Sequence, residues 1–284
     1  KAIAIMEQAA KPDYHNIAIS YTHLATIYKA IGQMPEAIAA QQKAIAIMEQ
    51  AATPDHHSIV ISYNNLSTIY KATGQLPEAI AAQQKAIAIM EQAAKPDYHN
   101  IAISYTHLAT IYKAIGQMPE AIAAQQKAIA IMEQAATPDH HSIVISYNNL
   151  STIYKATRQL PEAIAAQQKA IAIMEQAAKP DYHNIAISYT HLATIYKAIG
   201  QADEALSAQQ KAITILEQAL GNNHRDLSAP YSKLSNFYKE VGQLTQALTY
   251  QQKSIIIQEQ TLSKNHPNIA LSYANLANIY QDMG

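Results

Sequence analysis

A 42-residue unit written nearly seven times leaves this chain few ways to fold. Lys1, Lys43, Lys85, Lys127, Lys169, Lys211 and Lys253 are each 42 apart, and so are Tyr21, Tyr63, Tyr105, Tyr147, Tyr189, Tyr231 and Tyr273, in a chain of 284 residues. A longer period of 84 is superimposed. Residues 1–42 and 85–126 are identical, and 43–84 differ from 127–168 only where Gly74 becomes Arg158. Copying continues from Lys169 to Gln201 and then decays through the last two repeats. A unit of this length is one supersecondary element that cannot bury its apolar face alone, so neighbours must stack and share a core. The prediction is one array over 1–284 without internal domain boundaries. The opening KAIAIMEQAA is superficially like a leader, but the same string recurs at 43, 85, 127 and 169 and reads as a repeat copy.

Each unit reads as two helices. In the first repeat Ile17, Tyr21, Leu24, Tyr28 and Ile31 fall at helical spacing, predicting a helix from about 15 to 31. Gly32 follows where a left-handed residue is wanted, and Pro35 with Glu36 suits the first turn of a second helix. Ala37, Ile38, Ala44, Ile45 and Met48 carry that helix to about 51, before Thr53-Pro54-Asp55 interrupts the stripe. No segment alternates over a useful length and no hairpin dipeptide occurs, so strands are not expected. The fold class is all-α, an α-solenoid. Two positions break the pattern. Arg158 stands at a turn that elsewhere uses glycine, and should occupy the left-handed region at a cost on the order of 1 kcal/mol. Pro230 lies well inside the sixth first helix, which should therefore start late, near Ser228, or bend.

The motif Tyr21-x-x-Leu24-Ala25-x-x-Tyr28-x-x-x-Gly32-x-x-x-x-Ala37, followed by Ala44, resembles the tetratricopeptide repeat. The eight extra residues per unit, as around Asp55-His56-His57 and Asn265-His266-Pro267-Asn268, resemble the 42-residue kinesin-light-chain subclass. The resemblance covers the whole chain and implies a right-handed superhelix whose first helices line a concave, peptide-binding surface. Two departures stand out. Gln41 occupies a second-helix position that is usually large and apolar, and Glu49 replaces the proline ending a shorter repeat.

Composition removes several chemistries. Cysteine is absent, which excludes disulfide scaffolds, thiol catalysis and cysteine-containing zinc sites. Twenty basic against twenty-one acidic residues argue against a nucleic-acid footprint. No apolar run approaches the roughly 18–20 residues of a membrane span. Phosphate loops, HExxH and GxSxG are missing, and identical side chains repeated at a fixed translation seldom make the unlike, convergent groups that catalysis needs. No enzyme activity, cofactor or metal is expected, and the compartment expected is cytoplasmic. His56-His57 and His140-His141, beside Asp55 and Asp139, are the best metal candidates. Adjacent helical side chains point about 100° apart, however, so they read as solvated turn residues beside a helix N-terminus. His23, His107 and His191 read as polar groove residues. The paired tyrosines, such as Tyr21 and Tyr28, read as core with hydroxyls reaching a polar partner. The triplet Gln41-Gln42-Lys43 and its copies allow an inter-repeat amide ladder, but solvation of an outer face is favoured.

The chief functional prediction is the groove. Residues at i, i+4 and i+7 share a helix face. Thr22, Thr26 and Lys29 align, as do Asn64, Thr68 and Lys71; Thr106, Thr110 and Lys113; Asn148, Thr152 and Lys155; Thr190, Thr194 and Lys197; and Ser232, Asn236 and Lys239. Asn64-Asn65-Leu66 and Asn148-Asn149-Leu150 match a kinesin-light-chain pattern, and the resemblance implies that these asparagines hold a peptide backbone. Repeats one, three and five carry Thr-His-Leu instead. A lysine per repeat favours an acidic extended peptide through its field. The predicted function is a non-catalytic protein-interaction scaffold. The alternatives are a structural spacer, a self-assembling array, or a regulatory module of a larger protein. Residues 1–10 read as part of a second helix, about 15–262 as six helix pairs, and 265–284 as an unpaired first helix. Those ends are complementary, predicting head-to-tail contacts or exchange of a terminal helix in a homo-oligomer.

Overall fold

The computed structural model describes residues 2–9, 12–51, 55–135 and 137–284. Lys1 and Ala10 of the expected partial helix, and Thr53 and Pro54 of the expected interruption, lie outside the described residues. Helices alternate along the chain. First helices are α2 (Tyr14–Ala30), α4 (His56–Ala72), α6 (Tyr98–Ala114), α8 (His140–Ala156), α10 (Tyr182–Ala198), α12 (Ser228–Glu240) and α14 (Pro267–Met283). Second helices are α1 (Ala2–Glu7), α3 (Met34–Glu49), α5 (Leu76–Glu91), α7 (Met118–Glu133), α9 (Leu160–Glu175), α11 (Ala202–Leu220) and α13 (Leu244–Thr261). The described residues contain no strand.

Packing divides the chain into two compact units, Lys1–Asp139 and His140–Gly284. In the first, α2 packs on α3, α4 on α5 and α6 on α7, while α3 meets α4 and α5 meets α6. The second repeats this scheme with α8 on α9, α10 on α11 and α12 on α13; α9 meets α10, α11 meets α12 and α13 meets α14. Alanine sets how closely the pairs approach. Ala18, Ala25, Ala37 and Ala44 are fully buried, and Ile17, Ile45 and Met48 fill the space around them. At the place of Ala25, alternate repeats carry a buried serine that donates to the second helix, Ser67 to the Ala79 carbonyl and Ser151 to that of Ala163, both at 2.8 Å. Larger aliphatic residues such as Ile69, Leu108, Ile111 and Ile185 complete the core, each contributing about 1.5–3 kcal/mol by leaving water.

Local chemistry decides where each helix starts and stops. Asp13, Asp97 and Asp181 accept the backbone N–H of Asn16, Asn100 and Asn184 at 3.1–3.2 Å, satisfying amides that have no intrahelical partner. Asp55 does the same for His57 and Ser58. At the other end Gly32 takes φ 81°, which lets the Gln33 N–H reach the Tyr28 carbonyl at 2.9 Å and close the helix. Arg158 does occupy the left-handed region, at φ 58°. It preserves the same closure, since the Gln159 N–H reaches the Tyr154 carbonyl at 2.9 Å. Pro230 is accommodated as its sequence position requires. A short 3-10 turn over Arg225–Leu227 precedes α12, which begins at Ser228, so the proline sits in the first turn where its missing N–H has no helical acceptor to lose.

Candidate peptide-binding surface

Polar positions predicted for the groove occupy the first helices, and most are half-buried or exposed rather than core. Thr22, Thr106 and Thr190 are half-buried, and their hydroxyls donate back to the carbonyls of Ala18, Ala102 and Ala186. Thr26, Thr68 and Thr152 donate in the same way to Thr22, Asn64 and Asn148, and Thr110 and Thr194 to the carbonyls of His107 and His191. Each hydroxyl thereby uses its proton on its own helix and keeps only acceptor capacity, part of which Gln41, Gln125 and Lys71 already take up at Thr22, Thr106 and Thr110. Such a row suits a ligand that brings N–H groups, as a peptide backbone does.

The asparagines are better organised than the threonines. Gln83 donates to Asn64 Oδ1 at 2.7 Å and Gln167 to Asn148 Oδ1 at 2.8 Å. With its carbonyl oxygen held from behind, each asparagine amide has a set orientation, and its NH₂ group is the part left to meet a ligand. Asn65 and Asn149, the next residues, are half-buried beside them. Between α8 and α10, floored by the end of α9, lies a cavity of about 480 Å³. Val144, Ile145, Ile173, Met174 and Ile187 give it apolar walls, while Asn148, Asn149, Thr152, Lys179, Asn184 and His191 bring polar groups to it. Apolar walls with a few placed polar groups are the ordinary make-up of a ligand site. His140 and His141 line the same cavity. Desolvation, then Lys233 and Lys155, hold the His191 imidazole below its ordinary pKa, and desolvation and Lys71 do the same for His107. Among the described residues no group of three or more histidines and carboxylates is placed to hold a metal ion.

The lysine row is uneven. Lys197 is paired with Glu240 at 2.6 Å and Lys239 with Asp282 at 3.0 Å, so the positive field in the later repeats is locally neutralised. Lys71 donates to Thr110 Oγ1 on the next first helix at 3.2 Å. No carboxylate among the described residues pairs with Lys29, Lys71, Lys113 or Lys155. Asn236 and Ser232 sit on α12 without an asparagine pair beside them.

Solvation of the Gln-Gln-Lys triplet, the favoured reading of the sequence, fails for its first residue and holds for the other two, which are exposed at Gln42-Lys43, Gln84-Lys85 and Gln168-Lys169. Gln41, Gln83, Gln125, Gln167, Gln209 and Gln251 are all at most 2% exposed and bond toward a first helix. The second glutamine reaches forward to the next repeat: Gln42 donates to Tyr70 Oη at 2.8 Å, Gln84 to Tyr112 at 2.9 Å and Gln168 to Tyr196 at 3.0 Å. The lysine reaches backward. Lys43 pairs with Glu7 at 2.9 Å and lies 4.7 Å from the centre of the Tyr21 ring; Lys127 repeats this with Glu91 and Tyr105. The same glutamates accept the tyrosine hydroxyls, Tyr21 to Glu7 and Tyr105 to Glu91 at 2.9 Å. Tyr63, bonded to Glu49, has its phenol pushed up to about 12 by burial and by the carboxylate. The reason for the error is geometric. Three consecutive helical residues point about 100° apart, so the first turns in against the paired helix while the next two stay exposed and reach along the surface to neighbouring repeats. The signal was present as a glutamate followed fourteen residues later by a tyrosine in every repeat.

Comparison with known proteins agrees with this geometry. A tetratricopeptide-repeat family model matches residues 16–92, 58–134, 100–176, 142–218 and 226–284. The chain is similar to a Podosopora anserina structure assigned as kinesin light chain with nearly identical TPR-like repeats. The two share 26% identity over 74% of this chain and 99% of the other, with a TM-score of 0.59. It also shares its fold with BtubC (BKLC) from P. vanneervenii, at 20% identity, 82% and 94% coverage and a TM-score of 0.61. The C-terminal part of a TPR repeat-containing protein from Cytophaga hutchinsonii matches 95% of this chain and 93% of its own length, at 16% identity and a TM-score of 0.65. No curated protein sequence matches the chain. No helix among the described residues is long and apolar enough to cross a membrane. Its 42-residue helix pairs, the family match along nearly its whole length and its kinesin-light-chain-like structural neighbours together place the chain in the tetratricopeptide-repeat family.

Proposed function

We propose that this chain is a non-catalytic scaffold whose first helices bind extended peptide segments of a protein partner, with acidic segments preferred. Tetratricopeptide folds are protein-interaction scaffolds, which makes a protein partner the natural starting point. The observation that carries the finer reading is the cavity between α8 and α10. Its apolar walls accept an aliphatic side chain, while Asn148, fixed by Gln167, offers an amide to the backbone on either side of it. Lys179 in the cavity lining and Lys155, close enough to act on His191, supply the preference for carboxylates against the single lining carboxylate of Asp181.

The test is fluorescence anisotropy with a labelled acidic peptide carrying one leucine, and with its Asn/Gln counterpart, at low and high salt. The acidic peptide should bind more tightly and weaken as salt screens the lysines. Lys71→Glu combined with Lys155→Glu should weaken it further at low salt. Equal affinity for both peptides, or an affinity indifferent to salt and to the double substitution, defeats the charge preference. If neither peptide binds, the peptide-binding reading fails and the spacer reading takes its place.

A further inference from the structure

The two alternating repeat types do more than vary the sequence, and the cavity shows what the alternation sets up. Its walls need an Asn-Asn first helix followed by a Tyr-His-Asn first helix, an order that occurs at α8 and α10 and also 84 residues earlier, at α4 and α6. All sixteen residues lining the cavity recur there unchanged, from His56 to His107 in place of His140 to His191. The local structure recurs too. Bounds of α4, α5 and α6 match those of α8, α9 and α10 after the same shift. Gln83 holds Asn64 at 2.7 Å as Gln167 holds Asn148 at 2.8 Å. Ile145, in the cavity lining, is 44% exposed, and its counterpart Ile61 is 43% exposed.

The other junction in the first unit is built differently. Between α2 and α4 the asparagine pair is replaced by Thr22-His23, and Thr22 Oγ1 approaches Ser62 Oγ at 3.5 Å, where the corresponding pair at α4 and α6 is an asparagine beside Ser104. The site is thus a property of the repeat pair rather than of the single repeat. One copy lies wholly inside each compact unit.

Resting on the peptide-binding reading above, we propose that the chain carries two equivalent recognition sites, one on α4 and α6 and one on α8 and α10, and that its partner is a multivalent one that presents the recognised segment more than once. Two sites with identical walls cannot distinguish two different ligands. What they add is avidity, which only a partner with repeated segments can use.

Isothermal titration calorimetry of the full chain with the single-leucine acidic peptide should give two peptides per chain with one affinity. Ile61→Glu or Ile145→Glu places a like charge in the lining of one site, on a side chain exposed enough to leave the core intact. Each should reduce the stoichiometry to one, and the double variant should bind none, with circular dichroism unchanged. A tandem peptide joined by flexible linkers of increasing length should bind at least about tenfold more tightly than the single one at its best linker, and lose that gain in either single variant. One peptide per chain, or two with affinities differing more than about tenfold, overturns the proposal while leaving peptide binding in place. Two sites without a tandem gain at any linker length overturns the multivalent partner. Absence of any binding defeats the peptide-binding reading itself, and the proposal with it.

Discussion

Gly74 and Arg158 form a matched pair, because the repeats around them are otherwise identical. Both sit at a helix end in the left-handed region, at φ 76° and 58°. A Cβ at Gly74 would meet no heavy atom within 4 Å, so side-chain packing does not enter the comparison. What remains is backbone. A non-glycine residue held in this region costs about 1–2 kcal/mol. Glycine offsets part of that advantage, because its unfolded chain is freer by roughly 0.5–1 kcal/mol. Arg158→Gly should therefore stabilise the second unit by about 0.5–1 kcal/mol, and Gly74→Arg should destabilise the first by about the same amount. Repeat arrays can lose two-state behaviour, so a single melting temperature is a poor readout. Native-state hydrogen exchange on the amides of α8 and α4 reports each unit separately. Opposite shifts of similar size are expected. Shifts of the same sign, or a destabilised Arg158→Gly, would refute the argument and show that the arginine side chain makes a compensating contact.

Other expectations follow from the same geometry. His107 and His191 have depressed pKa values, so the unfolded chain takes up protons first as pH falls. Their contribution is complete above the ordinary imidazole value and is lost as pH drops through it toward the depressed one. Denaturation midpoints should fall between about pH 7 and 5, and His107→Gln with His191→Gln should flatten that slope. The N-terminal aspartates act lower. Asp97 and Asp181 are held below the usual carboxylate range chiefly by the backbone N–H of Asn100 and Asn184, and Asp181→Ala should cost about 1 kcal/mol at neutral pH and less as pH falls through the depressed folded-state value. Tyr112→Phe removes the acceptor for Gln84 and should destabilise by about 0.5–1.5 kcal/mol; a double-mutant cycle with Gln84→Ala should show coupling of at least about 0.5 kcal/mol.

Helix placement was legible before any coordinate because it follows from local rules repeated seven times. A glycine after Ile31 and a proline after Met34 mark a stop and a start that tertiary packing did not need to alter. Pro230 and Arg158 were legible for the same reason: each conflicts with a backbone requirement that belongs to its own turn. The threonine and lysine rows followed from helical periodicity alone. Periodicity does not say which neighbour a polar residue meets. Gln41 and Gln42 differ by one position, yet the first is buried against its own repeat and the second is bonded to Tyr70 of the next.

Sequence by itself therefore determined the element order, the helix ends, the repeat pitch and which residues share a face, since all of these depend on interactions within a few residues of chain. Tertiary structure decided the rest. It turned the first glutamine of each triplet inward and set lysines over tyrosine rings. It also paired Lys197 and Lys239 with carboxylates 43 residues away, and opened the cavity where two unlike first helices face each other. Those outcomes depend on the surfaces that stacked helices present to one another, and a linear pattern does not encode them until the helices are packed.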